Sequence, residues 1–308
     1  MKLSLVVPCY NEAESVFAFH QAVLSDFKDS EFDYEVVYVD DGSKDATLHN
    51  LKKIYNEGSC RVKIVSFSRN FGKEAALYAG LQQTEGDYIS FIDADLQQRP
   101  ETVLNMVRIL EAQPQTDVVA AYQDRRSEGK VLSFLKKTFY KLINRLSDID
   151  LKSDASDFRT FRRSVAESIL SMGEYHRFSK GIFAWIGYET HYIPYVAAER
   201  VAGMSKWNFI KLLNYAVEGI IGYSTKPLRI ATFLGGFTSC LSMIYLVIVV
   251  LQKLIAGIDI PGYATIIVLI LFLGGMQLFC IGIIGEYIGK IFEQSKDRPI
   301  YIAKEIIK

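Results

Sequence analysis

What this 308-residue chain lacks narrows its function before any motif is read. Lysine plus arginine and aspartate plus glutamate number 35 each, so the net charge is zero. Nothing in that balance points to a nucleic-acid partner, and any basic patch must act locally. The four cysteines, Cys9, Cys60, Cys240 and Cys280, form no CxxC and no Cys/His cluster. A zinc centre or disulfide framework is therefore not expected, and reduced, cytosol-facing thiols are. His20, His49, His176 and His191 show no ligand spacing either. There is no GxxxxGK[ST], and no GxGxxG follows the first apolar run, so the usual phosphate cradles are missing. The opening "MKLSLVVPCYNE" lacks the long apolar region and cleavage site of a signal peptide and reads as a first strand.

Half of the residues are hydrophobic, and the excess lies after residue 229. Residues 230–251, "IATFLGGFTSCLSMIYLVIVVL", and 263–285, "YATIIVLILFLGGMQLFCIGIIG", carry no charge. About 20 apolar residues cross a bilayer as helix, so the pair predicts a transmembrane hairpin. Lys226 and Arg229 flank one side; Lys290, Lys296 and Arg298 flank the other. The excess of positive charge on cytoplasmic flanks puts both ends in the cytoplasm. The expected layout is a cytosolic domain over 1–204, an interfacial amphipathic segment over 205–229, the hairpin over 230–290 and a cytosolic tail over 291–308. That makes a multi-pass protein of the cytoplasmic membrane. Residues 130–146 also form a basic amphipathic pattern, which suits either the headgroup layer or packing on the domain's own sheet. Gly235, Gly236, Gly274 and Gly275 are compatible with close helix packing, as in a homo-oligomer.

Over the first 120 residues, short apolar runs at 3–8, 34–40, 62–68, 87–93 and 117–122 alternate with helix-like patterns at 12–28, 45–57, 72–84 and 100–113. This predicts an α/β fold, a Rossmann-like, mostly parallel sheet with helices on both faces. Such sheets bind ligands beyond the carboxyl ends of their strands. Four of those ends are polar: "PCYNE", "DDGSKD", "SRNFGKE" and "DADLQ". Gly42 and Ser43 suit a tight turn, and Ser43 or Asp45 is placed to cap the next helix.

The fourth end carries the sharpest signal. Asp93 and Asp95 flank Ala94, and carboxylates this close repel each other strongly in a dry cleft. A divalent cation removes that cost. Oxygen donors, with Gln97 as a third, suit hard Mg²⁺ or Mn²⁺ bridged to substrate phosphates. Pro100 fits the first turn of the following helix.

Taken in order, "VVPCYNE", "VDDGSKD", "SRNFGKE", "DADLQ" and "SDFR" resemble glycosyltransferase family 2 with the GT-A fold. With the hairpin, the chain is similar to the polyprenyl-phosphate glycosyltransferases, among them bactoprenol glucosyltransferases and, more distantly, dolichyl-phosphate mannose synthase. The resemblance implies that Pro8, Tyr10, Asn11 and Glu12 form a first nucleotide loop. It further implies that Asp41, Gly42 and Ser43 face base and ribose, and that Arg69 and Lys73 lie beside the nucleotide. Asp93, Ala94, Asp95 and Gln97 then match the metal and nucleotide-sugar motif, and Asp157 the candidate base. Arg200, Ser205 and Lys206 match the segment closing on the diphosphate, and Arg125 and Arg126 the lipid-phosphate site. Ser205 stands where the family often has Thr, and Ser156 where close relatives commonly have Gly.

The implied reaction is inverting transfer of a sugar, glucose first, from a UDP-sugar to a polyprenyl phosphate at the bilayer, for cell-envelope glycan modification. N-acetylglucosamine, galactose and a modified pentose remain open as the sugar. An acceptor phosphate is already largely ionised near neutral pH, with a second pKa of about 6. Asp157 therefore reads as a base, as an orienting group, or as a salt-bridge partner of Arg159 or Arg162. A processive polysaccharide synthase is the first rival, but no QxxRW run is present. A non-catalytic membrane subunit or lipid transporter is the second, opposed by the intact Asp93, Asp95, Gln97 and Asp157 set.

Overall fold

The computed structural model describes residues 1–123, 155–196, 219–256 and 262–308. These form two compact units, one of residues up to 196 together with 298–308, the other of residues 219–297.

The first unit opens with strand–helix alternation: β1 (Lys2–Cys9), α1 (Val16–Asp26), β2 (Asp33–Asp40), α2 (Thr47–Glu57), β3 (Arg61–Phe67), α3 (Lys73–Gln83), β4 (Tyr88–Phe91), α4 (Pro100–Ala112) and β5 (Val118–Gln123). Each expected run is present within a few residues of its place. Then come β6 (Ala155–Arg162), α5 (Arg163–Ser171), α6 (Ser179–Trp185) and β7 (Thr190–Tyr195). The last strand, β8 (Ala303–Ile307), is formed by the segment read from sequence as a plain tail. The single eight-stranded sheet has the order β7-β5-β6-β4-β1-β2-β3-β8. β1 is parallel to β2 and β4, and β2 to β3, whereas β6 runs antiparallel to β4 and β5, and β8 to β3.

The central strands are buried on both faces, which explains their nearly continuous apolar runs. Leu3, Leu5, Val7 and Cys9 alternate toward one core with Val36, Tyr38 and residues of α1, α2 and α4. Val39, Val65 and Phe67 pack against Ala75, Ala76 and Ala79 of α3 in another. Each large aliphatic side chain so buried contributes roughly 1.5–3 kcal/mol. On α3, a Cβ at Gly80 would lie 2.4 Å from Val6 Cγ1. The missing side chain therefore sets how closely this helix, and the loop before it, approaches the sheet. Pro8 sits within a central strand without cost because β4 pairing ends at Val6↔Phe91, so its absent N–H is not needed on that side.

The second unit contains α7 (Lys226–Ala256) and α8 (Tyr263–Ser295). At 1.5 Å per residue these are about 46–50 Å long, against a hydrocarbon core of about 30 Å. Within them, Lys226–Gln252 and Ile266–Ser295 are long and apolar enough to cross a membrane. Phe233, Leu254 and Leu278 are more than 70% exposed, the reverse of a buried soluble helix pair. Tyr287 Oη donates to the Ser224 carbonyl at 2.6 Å. Among the described residues nothing lies within 4 Å of a Cβ built at Gly235, Gly236, Gly274 or Gly275. These glycines do not pack α7 on α8.

Candidate active site

Four loops follow the carboxyl ends of β1 to β4, and the first three lock together. After β1, Asn11 takes a left-handed conformation with φ 55°. Its N–H donates to Ser43 Oγ at 3.0 Å, and its Oδ1 accepts from Lys44 N–H at 2.9 Å. Glu12 N–H reaches Thr47 Oγ1 at 2.8 Å, and Ala13 N–H reaches Asp45 Oδ2 at 3.2 Å. Asp45 Oδ1 also takes the Thr47 N–H at 3.0 Å, so Asp45 rather than Ser43 satisfies the start of α2. Asp40, 2% exposed, accepts from Ser43 N–H and Ser66 Oγ.

Asp41 joins the second loop to the third. It is 3% exposed; its Oδ1 accepts from Phe71 N–H at 2.6 Å and its Oδ2 from Gly72 N–H at 3.0 Å. Burial pushes its carboxyl up, and these two N–H groups partly oppose that. Gly42, at φ 65°, lets the turn pass against the third loop's backbone. In this arrangement Asn11, Asp41 and Ser43, expected to face the nucleotide, spend side-chain atoms on holding the loops together. Tyr10 is 39% exposed at the mouth of the first loop. In the third, the Arg69 guanidinium lies 4.1 Å above the Phe71 ring.

Three of the expected site residues meet beyond β4. Its register with β6 ends at Phe91↔Arg159, and two more residues along each chain put Asp93 opposite Asp157. Lys73, the first residue of α3, reaches between them: its Nζ is 2.6 Å from Asp93 Oδ1 and 3.7 Å from Asp157 Oδ2. Desolvation of the Lys73 ammonium is outweighed by the two carboxylates, and its pKa rises. Burial pushes Asp157 up, but Lys73, Lys180 and Arg159 outweigh it and hold this carboxyl below its usual range. Asp157 is thus ionised at neutral pH. Glu74 Oε2 accepts the Ser179 N–H at 3.0 Å and its hydroxyl as well, fixing the start of α6 beside the pair.

The acidic motif has a second amide that sequence reasoning missed. Buried Gln98, not Gln97, braces Asp93: its Oε1 accepts the Asp93 N–H at 3.0 Å and its Nε2 donates to Oδ2 at 3.3 Å. Gln97 donates its backbone N–H to Asp95 Oδ1 at 3.1 Å. Between them Leu96 is left-handed, with φ 61°, unusual for leucine and costing about 1–2 kcal/mol. Pro100 opens α4, as expected.

Among the described residues no group of three or more His, Cys, Asp or Glu is placed to hold a metal by itself. One or two carboxylates completed by substrate phosphates suffice for Mg²⁺. Asp93 and Asp95 fit that pattern. Burial raises the pKa of Glu12, the Ser15 hydroxyl partly opposes this, and the nearby carboxylates Asp95, Asp93 and Asp45 add to the rise. This is an excess of negative charge that a cation would relieve.

Glu74 ends the motif "SRNFGKE" and Gln98 follows "DADLQ" directly, but neither was singled out; Ser179 and Lys180 carried no sequence signal, because α6 reaches the site only by chain folding. Arg125, Arg126, Arg200, Ser205 and Lys206, with the amphipathic segments 130–146 and most of 205–229, lie outside the described residues.

Residues 4–170 match the family described as glycosyl transferase family 2, and residues 226–291 match the GtrB C-terminal hairpin. The chain is 41% identical over 304 residues to the bactoprenol glucosyl transferase of Shigella phage SfV, covering 99% of this chain and 98% of that one. It is 41% identical over 308 residues to a prophage bactoprenol glucosyl transferase homolog of Escherichia coli K12, covering both chains fully. Among solved structures it is similar to glucosyl-3-phosphoglycerate synthase from Mycobacterium tuberculosis, in a complex with Mn²⁺, UDP and phosphoglyceric acid. That match has 21% identity and a TM-score of 0.49, and covers 71% of this chain and 76% of the other. With a family match over more than half its length, and relatives aligned nearly end to end, the chain belongs to glycosyl transferase family 2 and is a glycosyltransferase of α/β, GT-A type.

Proposed function

We propose that this protein is a membrane-bound inverting glycosyltransferase that moves glucose from UDP-glucose to a polyprenyl phosphate. The observation that carries this reading is the 41% identity to bactoprenol glucosyl transferase over 99% of the chain, hairpin included. The geometry supports it. Three interlocked loops at the ends of parallel strands provide a nucleotide platform with Tyr10 and Arg69 at its rim, and beyond them Lys73 bridges Asp93 and Asp157.

In this reading the UDP moiety sits over the first three loops and the diphosphate lies toward the acidic motif. Asp95 and Asp93, braced by Gln98, would hold Mg²⁺ or Mn²⁺ together with diphosphate oxygens. A bound divalent ion supplies Lewis-acid stabilisation of the departing diphosphate. Arg200, Ser205 and Lys206 are assigned to the same diphosphate, and Arg125 and Arg126 to the acceptor phosphate.

Asp157 is read as an orienting group rather than a strong base. A carboxyl held below its usual range by nearby cations is a poor proton acceptor. The acceptor phosphate needs little deprotonation, its second pKa being about 6. Its oxygen attacks the anomeric carbon as the bond to the diphosphate oxygen breaks, which inverts the configuration. The apolar helices suit an acceptor whose tail stays in the bilayer, since exposing it costs about 0.8 kcal/mol per CH₂. The basic residues flanking the two apolar helices support a catalytic unit on the cytoplasmic side.

The test is transfer of labelled glucose from UDP-glucose to polyprenyl phosphate by the purified full-length protein in lipid, alongside UDP-N-acetylglucosamine and UDP-galactose. Chelation of divalent ions abolishes transfer, and Mg²⁺ or Mn²⁺ restores it. Full turnover of Asp93→Asn or Asp95→Asn, or transfer in excess chelator, would refute the assignment.

A further inference from the structure

The third loop is held from two sides. On one, Asp41 takes the N–H groups of Phe71 and Gly72. On the other lies the segment that follows α8. β8 pairs with β3 from Ile64↔Ile307 to Phe67↔Ala303, with a register shift between Ser66 and Phe67. Such an irregularity at a strand end re-aims the side chains that follow. The pairing then runs one residue into the loop, where Ser68 N–H donates to the Ile302 carbonyl at 3.0 Å.

Tyr301 completes the contact. Its ring stacks on Phe67 at 4.8 Å and 22°. Phe67 meets Phe71 edge-on at 5.7 Å, and Phe71 carries the Arg69 guanidinium at 4.1 Å. The Tyr301 hydroxyl donates to Gln82 Oε1 near the end of α3 at 2.6 Å. Ile300, Tyr301 and Ala303 together cover the small core formed by Phe67 and the alanines of α3. One aromatic side chain thus touches the strand leading into the loop and the helix leading out of it, and that helix begins with Lys73.

We propose that the 298–308 segment is a positioning element of the donor site and that Tyr301 is its key residue, holding the third loop so that Arg69 and Lys73 face the sugar nucleotide. In the chain this segment directly follows the second membrane helix, so the anchor and the donor loop are joined by residues 296–302. The binding readout rests on the UDP-sugar reading above; the exchange readout does not.

The experiment compares wild type, Tyr301→Ala and Tyr301→Leu as full-length protein in lipid nanodiscs. Tyr301→Leu keeps an apolar plug while losing the stack and the hydroxyl, and so carries the comparison if the alanine variant folds poorly. Lys52→Ala is the control. It removes the exposed Lys52–Glu305 pair at the middle of β8 and leaves the loop contacts of Tyr301 and Ile302 in place. UDP affinity with Mg²⁺ is read by calorimetry, and amide exchange is followed at residues 68–74. Losing the aromatic stack is expected to weaken UDP roughly three- to tenfold. Exchange at Phe71 and Gly72 should accelerate while β1 and β4 stay protected, and the KM for the lipid acceptor should stay within about twofold of wild type. Lys52→Ala should match wild type. UDP affinity and loop exchange unchanged in both Tyr301 variants would overturn the proposal. So would a uniform loss of protection across the whole sheet, which marks a merely structural role. If wild type binds no UDP, the donor assignment fails, and the exchange comparison alone decides the proposal.

Discussion

Gly42→Ala tests how the first three loops are built. Gly42 has φ 65°, which alanine adopts at a cost of about 1 kcal/mol. Its added Cβ would lie 2.4 Å from the Arg69 carbonyl carbon and 2.7 Å from the Asn70 nitrogen. Both are backbone atoms, so no side chain can swing aside, and overpacking of this kind adds about 1–3 kcal/mol. The sum is about 2–4 kcal/mol, or a fall in Tm of about 5–15 °C for a domain of this size. The backbone that must yield is the loop carrying Arg69 and leading to Lys73, so UDP affinity should fall with stability. Gly58→Ala separates the two contributions. Gly58 has φ 63° but nothing within 4 Å of the added Cβ, so only the conformational cost of about 1 kcal/mol applies. Thermal unfolding and UDP binding of both variants in the full-length protein measure the difference. Equal effects from the two would refute the close-approach argument, as would a Gly42→Ala protein with wild-type Tm and UDP affinity.

Lys73→Met removes the cation between Asp93 and Asp157; kcat/KM is expected to fall about 100-fold. Without Lys73, Asp157 holds its proton to higher pH, so the ascending limb of the pH–rate profile should move up; a pH series checks the direction. At the opposite end of the strands, Glu35 is fully buried, accepting from Ser4 Oγ at 2.6 Å and Glu85 N–H at 2.8 Å, with Lys63 at 3.1 Å and Lys2 at 3.2 Å. Burial raises its pKa, but these partners outweigh that and lower it, while Lys2 and Lys63 bring exposed Glu85 to about 2. Their stabilisation is present above the ordinary glutamate pKa of about 4.3 and is lost as pH falls toward the folded values. Glu35→Gln should therefore cost about 3–5 kcal/mol in urea unfolding at pH 7, with a smaller difference from wild type at pH 3. Gly274→Ala should leave thermal stability unchanged or slightly raised, since nothing lies within 4 Å of its added Cβ; a clear loss in a melting assay would contradict the helix placement.

Much of the fold was legible because its signals are local. Continuous apolar runs such as "LSLVV" and "VVYVD" mark strands covered on both faces, and the polar residues ending them mark one sheet edge. The uncharged runs at 230–251 and 263–285 declared the hairpin by length alone. β6 was harder. Its sequence "ASDFRTFR" has apolar residues only at 155, 158 and 161, without the two-residue period of a strand, and it was noticed as a motif rather than as a strand. β8, "AKEII", is too short and too polar to announce itself, and becomes a strand only because β3 presents an open edge. The site residues divided in the same way. Asp93 and Asp95 were expected from their chemistry and Asp157 from the family resemblance, and the fold brings Asp93 and Asp157 to one lysine. The bracing role of Gln98 was not legible, because knowing which of two adjacent amides turns in toward Asp93 requires the folded turn.

By itself the sequence determined the class of protein: polar loops at the ends of parallel strands, an acidic motif beyond the fourth, and a pair of long apolar helices. Those depend on periodicity, hydropathy and charge within short stretches, which the chain carries wherever it folds. The tertiary structure decided which groups meet: Lys73 between Asp93 and Asp157, Asp41 spent on backbone amides, Glu74 on α6, and Tyr301 against the strand that leads into the third loop. These partners lie up to 234 residues apart in the chain, as Tyr301 and Phe67 do. Hydrogen bonds and ion pairs act over a few ångströms, and only the folded sheet brings such residues within that range.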